Sequence, residues 1–200
     1  VIAALLTGVL GGSASADSGT CPTASGGLEE AGSSADPYLI EDAADLQEFR
    51  DDSTYWGTSG SPSYTRITAN IDMREDPDVG VCTWNSVIGS GSPAFFGDVD
   101  GGGFQITGLD ISGTTNYIGL FGITGTGTHI YDLSFDGDVE NTGQYTGGLI
   151  GYAANNTRVS NAHTSGNVMG TSEVGGLIGN ANNSDSPGSI SESSASGDVT

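Results

Sequence analysis

The sequence VGGLIGNANN, residues 174–183, repeats a phrase that occurs twice earlier in the chain. It stands as TGGLIGYAANN at residues 146–156 and, in shorter form, as YIGLFG at residues 117–122. Alignment on the Gly-Leu pairs of these phrases brings three glycines into register: Gly119, Gly148 and Gly176. The steps between them are 29 and 28 residues. Self-similarity at a period of about 20–50 residues is typical of repeat architectures, so the sequence predicts an array of short structural repeats.

A second phrase follows each copy of the first, as IYDLSFDGDV from Ile130, VSNAHTSGNV from Val159 and ISESSASGDV from Ile190. From Val81 onward the chain shows no helical period, and its short apolar runs are bounded by Gly, Asn, Asp or Ser. One such run cannot bury its apolar side alone, but equivalent runs stacked in register form parallel sheets around a continuous core. We therefore predict an all-β fold, an elongated parallel β-helix of about five coils.

The glycines of the first phrase are predicted to mark the corners of the coils, where the chain turns without a Cβ in the way. These six corner positions are Gly119, Gly122, Gly148, Gly151, Gly176 and Gly179.

One helix is predicted, within DPYLIEDAADLQEFRDD at residues 36–52. Asp42 is a good N-cap, and Leu46 and Phe49 lie on one side of a helix over residues 42–50. A solenoid end exposes unpaired strand edges unless something covers it. We expect this helix to cover the N-terminal end of the core, and the last coil to lack a cap because the array continues past Thr200.

The chain carries 25 acidic residues, four arginines and no lysine, which gives a formal net charge of −21. This balance argues against nucleic-acid binding, because phosphates are bound by Lys and Arg. It also argues against binding to an anionic membrane surface. A solvated acidic coat that maintains solubility is the first interpretation, and scattered calcium sites are the alternative.

The N-terminus has the character of an export signal that lacks its basic start. Val1–Leu10 is an apolar stretch too short to span a bilayer, and Ala14-Ser15-Ala16 resembles a signal-peptidase site. We predict a signal peptide over 1–16, a Ser/Gly/Ala-rich leader over 17–36, a β-helix over 37–200, and no membrane insertion. In an oxidising compartment the only two cysteines, Cys21 and Cys82, are expected to form a disulfide.

The Gly-Leu phrases resemble the GLUG motif, a repeat of large exported bacterial surface proteins that include some immunoglobulin-A-cleaving peptidases. The N-terminal half is similar to the segment that precedes such repeats, in ADPYLIEDAADLQEFRD, YTRITANIDM, WNSVIG and FFGDVDGGGFQITGLDI. The resemblance covers about residues 36–200, with GLUG-type repeats at about 118–139, 145–168 and 173–199. It implies a right-handed parallel β-helix in a secreted or cell-surface adhesin or stalk, and no catalytic residues or cofactors within the repeats.

Two acidic pairs could share a site, because residues two apart on a strand face the same way: Asp98 with Asp100, and Asp136 with Asp138. Turn and surface roles are the alternative interpretation of both pairs.

Three further patterns could mark a calcium, metal or glycosylation site, and structural roles are the alternative. Asp72, Asp76 and Asp78 form a weak calcium-loop pattern without the distal Glu of an EF-hand. His129 and His163 have no metal-ligand spacing. Two glycosylation sequons begin at Asn155 and Asn182, where loop asparagines that bond the turn backbone are the alternative.

The leading functional hypothesis is an exported, non-enzymatic, adhesin-like repeat module that acts as a rigid spacer or binds an extracellular ligand, either a glycan or a neighbouring surface protein. A carbohydrate-active β-helix enzyme and the non-catalytic arm of a large surface protease are the alternatives. Converging carboxylates in a cleft would distinguish an enzyme from a spacer.

Overall fold

The computed structural model describes residues 20–74, 80–182 and 188–200. The predicted signal peptide, Asp76, Asp78 and most of the second sequon lie outside these ranges. The elements in chain order are β1 (Tyr38–Ile40), α1 (Ala43–Asp51), a 3-10 helix (Ser53–Trp56), β2 (Ser63–Ile67), β3 (Ile71–Asp72), β4 (Cys82–Trp84), β5 (Gly97–Thr107), β6 (Leu109–Gly113), β7 (Phe121–Thr124), β8 (His129–Asp136), β9 (Val139–Asn141), β10 (Gln144–Gly147), β11 (Ile150–Ala153), β12 (Arg158–Ser165), β13 (Val168–Met169), β14 (Ser172–Gly175), β15 (Ile178–Ala181), β16 (Ser189–Ser191) and β17 (Ser194–Ser196).

Over the described residues, the strands stack into four parallel sheets, of which one runs the length of the array. The longest has the order β1-β2-β5-β8-β12-β16, with β3 beside β5 and β17 beside β12. The others are β4-β6-β9-β13, β7-β11-β15 and β10-β14. All pairings between these named strands are parallel. The chain is therefore a parallel β-solenoid of about five turns with one short helix, as the repeats predict.

The strand register confirms that the Gly-Leu phrases stack one repeat apart. Ile150 lies between Phe121 of the preceding coil and Ile178 of the following one. The preceding leucines follow the same stack, because Leu120 N donates to Gly148 O and Leu149 N donates to Leu177 O. Each coil therefore adds one layer of apolar side chains to a common core.

The six repeated glycines are required because the backbones of adjacent coils approach closely at these positions. Gly119, Gly148 and Gly176 lie in bends, whereas Gly122, Gly151 and Gly179 lie inside β7, β11 and β15. None of the six has a φ in the left-handed region. A Cβ on Gly148 would instead lie 2.4 Å from Gly176 O, and one on Gly151 would lie 2.6 Å from Ile118 N. These glycines therefore allow adjacent coils to approach, in strands as well as in bends.

Helix α1 covers the N-terminal end of the core, as predicted. Asp42 Oδ1 caps it by accepting hydrogen bonds from the backbone N–H groups of Ala44 (2.8 Å) and Asp45 (3.1 Å). Leu46 and Phe49 are only 3% and 2% exposed. The Phe49 ring packs edge-on against Phe95 with centroids 5.9 Å apart, which continues the apolar stack into the helix.

The leader is held against the first coils. Cys21 forms the predicted disulfide with Cys82, which is fully buried on β4. Ser25 N donates to Ala44 O, and Leu28 N donates to the Tyr55 hydroxyl. The segment therefore ties the helical cap to the sheets.

Three large apolar side chains near the C-terminal end of the described chain are exposed: Met169 (52%), Ile190 (56%) and Val199 (49%). In the ranges that the structure describes, no helix combines the length and apolar character needed to cross a membrane.

Candidate functional site

The outer side of the longest sheet brings two rows of polar and aromatic side chains together, which we call the long-sheet face. Alternation along a strand sends every second residue outward, so register places equivalent outward residues side by side. One row consists of Tyr64, Asp98, His129 and Arg158, and the other of Arg66, Asp100, Tyr131 and Ser160. Inward-facing Val99, Ile130 and Val159 alternate with them and are buried.

Asp98 and Asp100 do share this face, as their spacing predicts, and Arg66 pairs with the second of them. Arg66 Nε donates to Asp100 Oδ2 at 3.0 Å, and Gly102 N donates to Asp100 Oδ1 at 2.9 Å. The Asp100 side chain is 20% exposed. Both oxygens of this carboxylate therefore hold the chain in place, one across strands and one within β5.

His129 and Tyr131 supply uncharged hydrogen-bonding groups in the middle of the face. Burial lowers the pKa of His129, and the charge of Arg158 lowers it further. Burial raises the pKa of Tyr131, and the carboxylates of Asp100 and Asp98 add to that shift. Both groups are thus neutral near pH 7. The His129 Nε2 atom lies 3.0 Å from Ser160 Oγ, and its ring centroid lies 4.6 Å from that of Tyr131.

Sequence reasoning found the acidic pair on this face but missed its histidine and its arginines. His129 aligns with Arg158, whereas His163 aligns with Ser134. The two histidines therefore occupy different rows. The signal was available, because Arg158 follows His129 at the repeat step of 29 residues.

A corner of the solenoid carries a column of side chains that we call the acidic ladder: Asp110, Asp138, Asn167 and Asp198. Each Oδ1 atom accepts a hydrogen bond from the backbone N–H of the next member. The distances are 2.9 Å for Asp138 N, 2.7 Å for Asn167 N and 3.1 Å for Asp198 N. These side chains therefore link successive coils through hydrogen bonds to the backbone.

The ladder borders an open groove of about 510 Å³, lined in part by Arg74, Asp136 and Asp138. Burial raises the pKa of Asp110 there, and the neighbouring carboxylates of Asp138 and Asp136 also raise it. Asp136 accepts a hydrogen bond from Ser165 Oγ at 2.9 Å. The second predicted acidic pair thus contacts backbone and hydroxyl groups of the adjacent coil.

The weak calcium pattern is only partly described, since Asp76 and Asp78 lie outside the described ranges. Asp72 is bonded to Arg74, which holds the pKa of that carboxyl below its usual value. Over residues 20–74, 80–182 and 188–200, no three His, Cys, Asp or Glu side chains are grouped as metal ligands would be.

The first sequon lies in a tightly packed turn. Thr157 is 5% exposed, and its hydroxyl lies 3.0 Å from that of Thr124 in the preceding coil. Asn155 is half-buried, with its Oδ1 atom enclosed. This geometry favours the structural role for Asn155.

Comparison with known proteins agrees with the repeat geometry. The model of the GLUG motif matches residues 142–169 and 170–200. The chain is 31% identical, over 186 aligned positions, to a "Putative Gly-rich membrane protein" of Evansella cellulosilytica, an alignment that covers 76% of this chain and 21% of that protein. It is 33% identical over 155 positions to "Halomucin" of Haloquadratum walsbyi, covering 74% of this chain and 2% of the relative. The chain therefore spans a small part of the curated relatives it matches.

A solved structure shares the fold. It is that of a "putative immunoglobulin A1 protease" from Bacteroides ovatus, with 24% identity and a TM-score of 0.54. The superposition covers 81% of this chain and 49% of the solved one.

Proposed function

We propose that this chain, which carries tandem GLUG motifs over residues 142–200, is a rigid exported segment of a surface protein, a spacer that presents a binding face. The observation that carries the proposal is the continuous parallel pairing of the longest sheet, from β1 to β16. With about 4.8 Å between strands, six stacked strands extend over roughly 24 Å. Each further repeat lengthens such a rod without changing its cross-section.

The use made of the acidic side chains supports a spacer over an enzyme. A hydrolase needs carboxylates that converge on the reacting atoms. Asp100 is bound by Arg66 and Gly102, and Asp110 and Asp138 each bond a backbone N–H of the next coil. Over the described residues, the contacts of these three carboxylates hold neighbouring coils together.

Location at the cell surface or in the medium is supported by three features. The names of the curated relatives include a "Gly-rich membrane protein" and "Halomucin". The Cys21–Cys82 disulfide is typical of oxidising compartments. The large acidic excess is suited to a solvated outer surface.

An antibody raised against residues 20–200 tests this proposal on intact cells of the source organism. We expect it to label unpermeabilised cells or to detect the protein in the medium. External protease should remove the surface signal while a cytoplasmic marker survives. Labelling that appears only after lysis would contradict the proposal.

A further inference from the structure

Three tyrosines form a compact surface group, which we call the tyrosine cluster: Tyr117, Tyr145 and Tyr152. The Tyr117 and Tyr145 rings belong to successive coils and stack with centroids 5.1 Å apart and planes 3° from parallel. The Tyr152 ring lies 5.7 Å from both and stands at 74° and 75° to them.

The cluster is accessible, and its polar ends are available. All three tyrosines are half-exposed. Over the described residues, the three phenol hydroxyls take part in no hydrogen bond. None of the three tyrosines is among the buried core residues, and Thr146, Ile150 and Ala153 take the buried positions beside Tyr145 and Tyr152 on β10 and β11.

The backbone beneath the stacked pair is unfavourable for tyrosine. Tyr117 has a φ of 70° and Tyr145 a φ of 62°, in the left-handed region where Gly or Asn is favoured and a bulky residue is an outlier. Glu173 occupies the same place in the next coil, also with a positive φ. The conformation therefore belongs to this position of the repeat, and tyrosine occupies it in two successive coils although smaller residues are favoured there.

Amides and one carboxylate surround the rings. Asn180 aligns with Tyr152 in the next coil and donates a hydrogen bond to Glu173. Glu173 lies close enough to Tyr145 for its charge to raise the pKa of that phenol. Gln144 and Asn116 lie beside the stacked pair and are exposed. Aromatic planes flanked by amide and carboxylate groups are complementary to a ligand with apolar C–H faces and many hydroxyls.

We propose that the tyrosine cluster binds a neutral, extended polysaccharide of pyranose units, with one sugar ring against Tyr152 and its hydroxyls bonded to Asn180 and Glu173. This deepens the display role proposed above by naming the partner. The net charge of −21 and the adjacent Glu173 disfavour an anionic glycan. A protein partner is the alternative occupant, because interface cores are also enriched in Tyr, and the sedimentation test below distinguishes it.

Isothermal titration calorimetry of the disulfide-bonded chain tests the assignment, with cellohexaose and mannohexaose as neutral probes and trigalacturonate as the anionic probe. We expect a dissociation constant of about 0.1–1 mM for at least one neutral probe, and binding at least tenfold weaker for Tyr152→Ala. Tyr64→Ala, on the long-sheet face, is the matched control and should bind as the native chain does. Circular dichroism melts establish that each variant is folded.

Four outcomes overturn the proposal: neither neutral probe binds at about 5 mM, trigalacturonate binds more tightly, Tyr152→Ala binds like the native chain, or Tyr64→Ala loses binding to the same extent. Sedimentation of the native chain provides a further test. Self-association that Tyr152→Ala abolishes, without saccharide binding, would assign the cluster to a protein contact. All of these measurements use the isolated chain, so their failure leaves the surface-display proposal standing.

Discussion

The first and last coils of this chain bury their apolar side chains to different extents. At the N-terminal end, Leu46 and Phe49 of helix α1 lie over the core and are 3% and 2% exposed. At the C-terminal end, Ile190 is 56% exposed although it shares its register with Val159, which is 1% exposed. The same repeat position is thus core or surface according to whether another element lies above it.

This difference teaches that a coil gains most of its stability from its neighbours. A repeat contacts only the repeats beside it, so the stability of an array is approximately a sum of repeat and interface terms. Helix α1 provides the interface that the first coil would otherwise lack. Substitutions at the two ends should therefore lower the free energy of unfolding by unequal amounts.

The largest effect is expected for Phe49→Ala, with Ile190→Ala as its control at the open end. Loss of a buried Phe removes apolar burial and leaves a cavity beneath the cap, at about 3–5 kcal/mol of unfolding free energy. Ile190→Ala should change it by no more than about 0.5 kcal/mol, because the side chain is largely in water. Urea unfolding followed by circular dichroism measures both. Equal losses would show that the helix does not cap the core.

Removal of the disulfide comes next. Cys21 and Cys82 close a loop with a sequence separation of 61 residues, and a cross-link of that size stabilises the native state by about 2–4 kcal/mol. We expect Cys21→Ala/Cys82→Ala to lose that amount and to lose amide protection first in the leader and α1. Dithiothreitol should destabilise the native chain but not this variant. A loss of protection that begins at β16 would contradict the link between leader and cap.

Close approach between coils is tested by Gly148→Ala, with Gly60→Ala as the matched control. A Cβ at residue 148 would lie 2.4 Å from Gly176 O, whereas one at residue 60 would have nothing within 4 Å. Overpacking of this kind lowers the unfolding free energy by about 1–3 kcal/mol. Thermal melts compare the two. If Gly60→Ala proved as harmful as Gly148→Ala, coil spacing would not be the reason for these glycines.

Much of the fold follows from the sequence because repetition is a strong signal. The steps of 28 and 29 residues between Gly119, Gly148 and Gly176 are enough to predict parallel stacking, and the spacing of Leu46 and Phe49 identifies the side of the helix that is buried. Because the chain has only two cysteines, only one intramolecular disulfide is possible.

The candidate surfaces are harder to predict from the sequence, because they depend on which residues of different coils become neighbours. Asp98 and Asp100 are two apart in one strand, so their shared face is visible in the sequence. Tyr152 joins Tyr117 and Tyr145 only through the bend between β10 and β11, which no repeat period encodes. The six repeat glycines depend on contacts of the same kind, since close approach between coils, and not a left-handed φ, requires them.

The smallest expected effect concerns charge and compares the interior of the acidic ladder with its open end. The pKa of Asp110 is raised in the folded state, so the folded chain binds this proton more tightly than the unfolded chain does. Its contribution to stability is therefore present below the unfolded pKa and is lost as the pH rises through the higher folded value. Asp110→Asn keeps the oxygen that accepts from Asp138 N and removes the charge, as Asn167 already does two coils later.

We therefore expect the melting temperature of the native chain to rise between about 0.05 and 2 M NaCl, because salt screens repulsion between exposed carboxylates over a Debye length of about 10 Å at 0.1 M. Asp110→Asn should raise the melting temperature at low salt and pH 7, which corresponds to no more than about 1 kcal/mol of unfolding free energy. It should also reduce the dependence of the melting temperature on salt. Asp198→Asn should change the melting temperature and its salt slope less. Its side chain is exposed, and among the described residues it has a ladder neighbour, Asn167, on one side only. A melting temperature that stays flat or falls with salt would show that the acidic residues are too dispersed to repel one another. Equal effects of the two substitutions would show that the interior of the ladder is no more strained than its end.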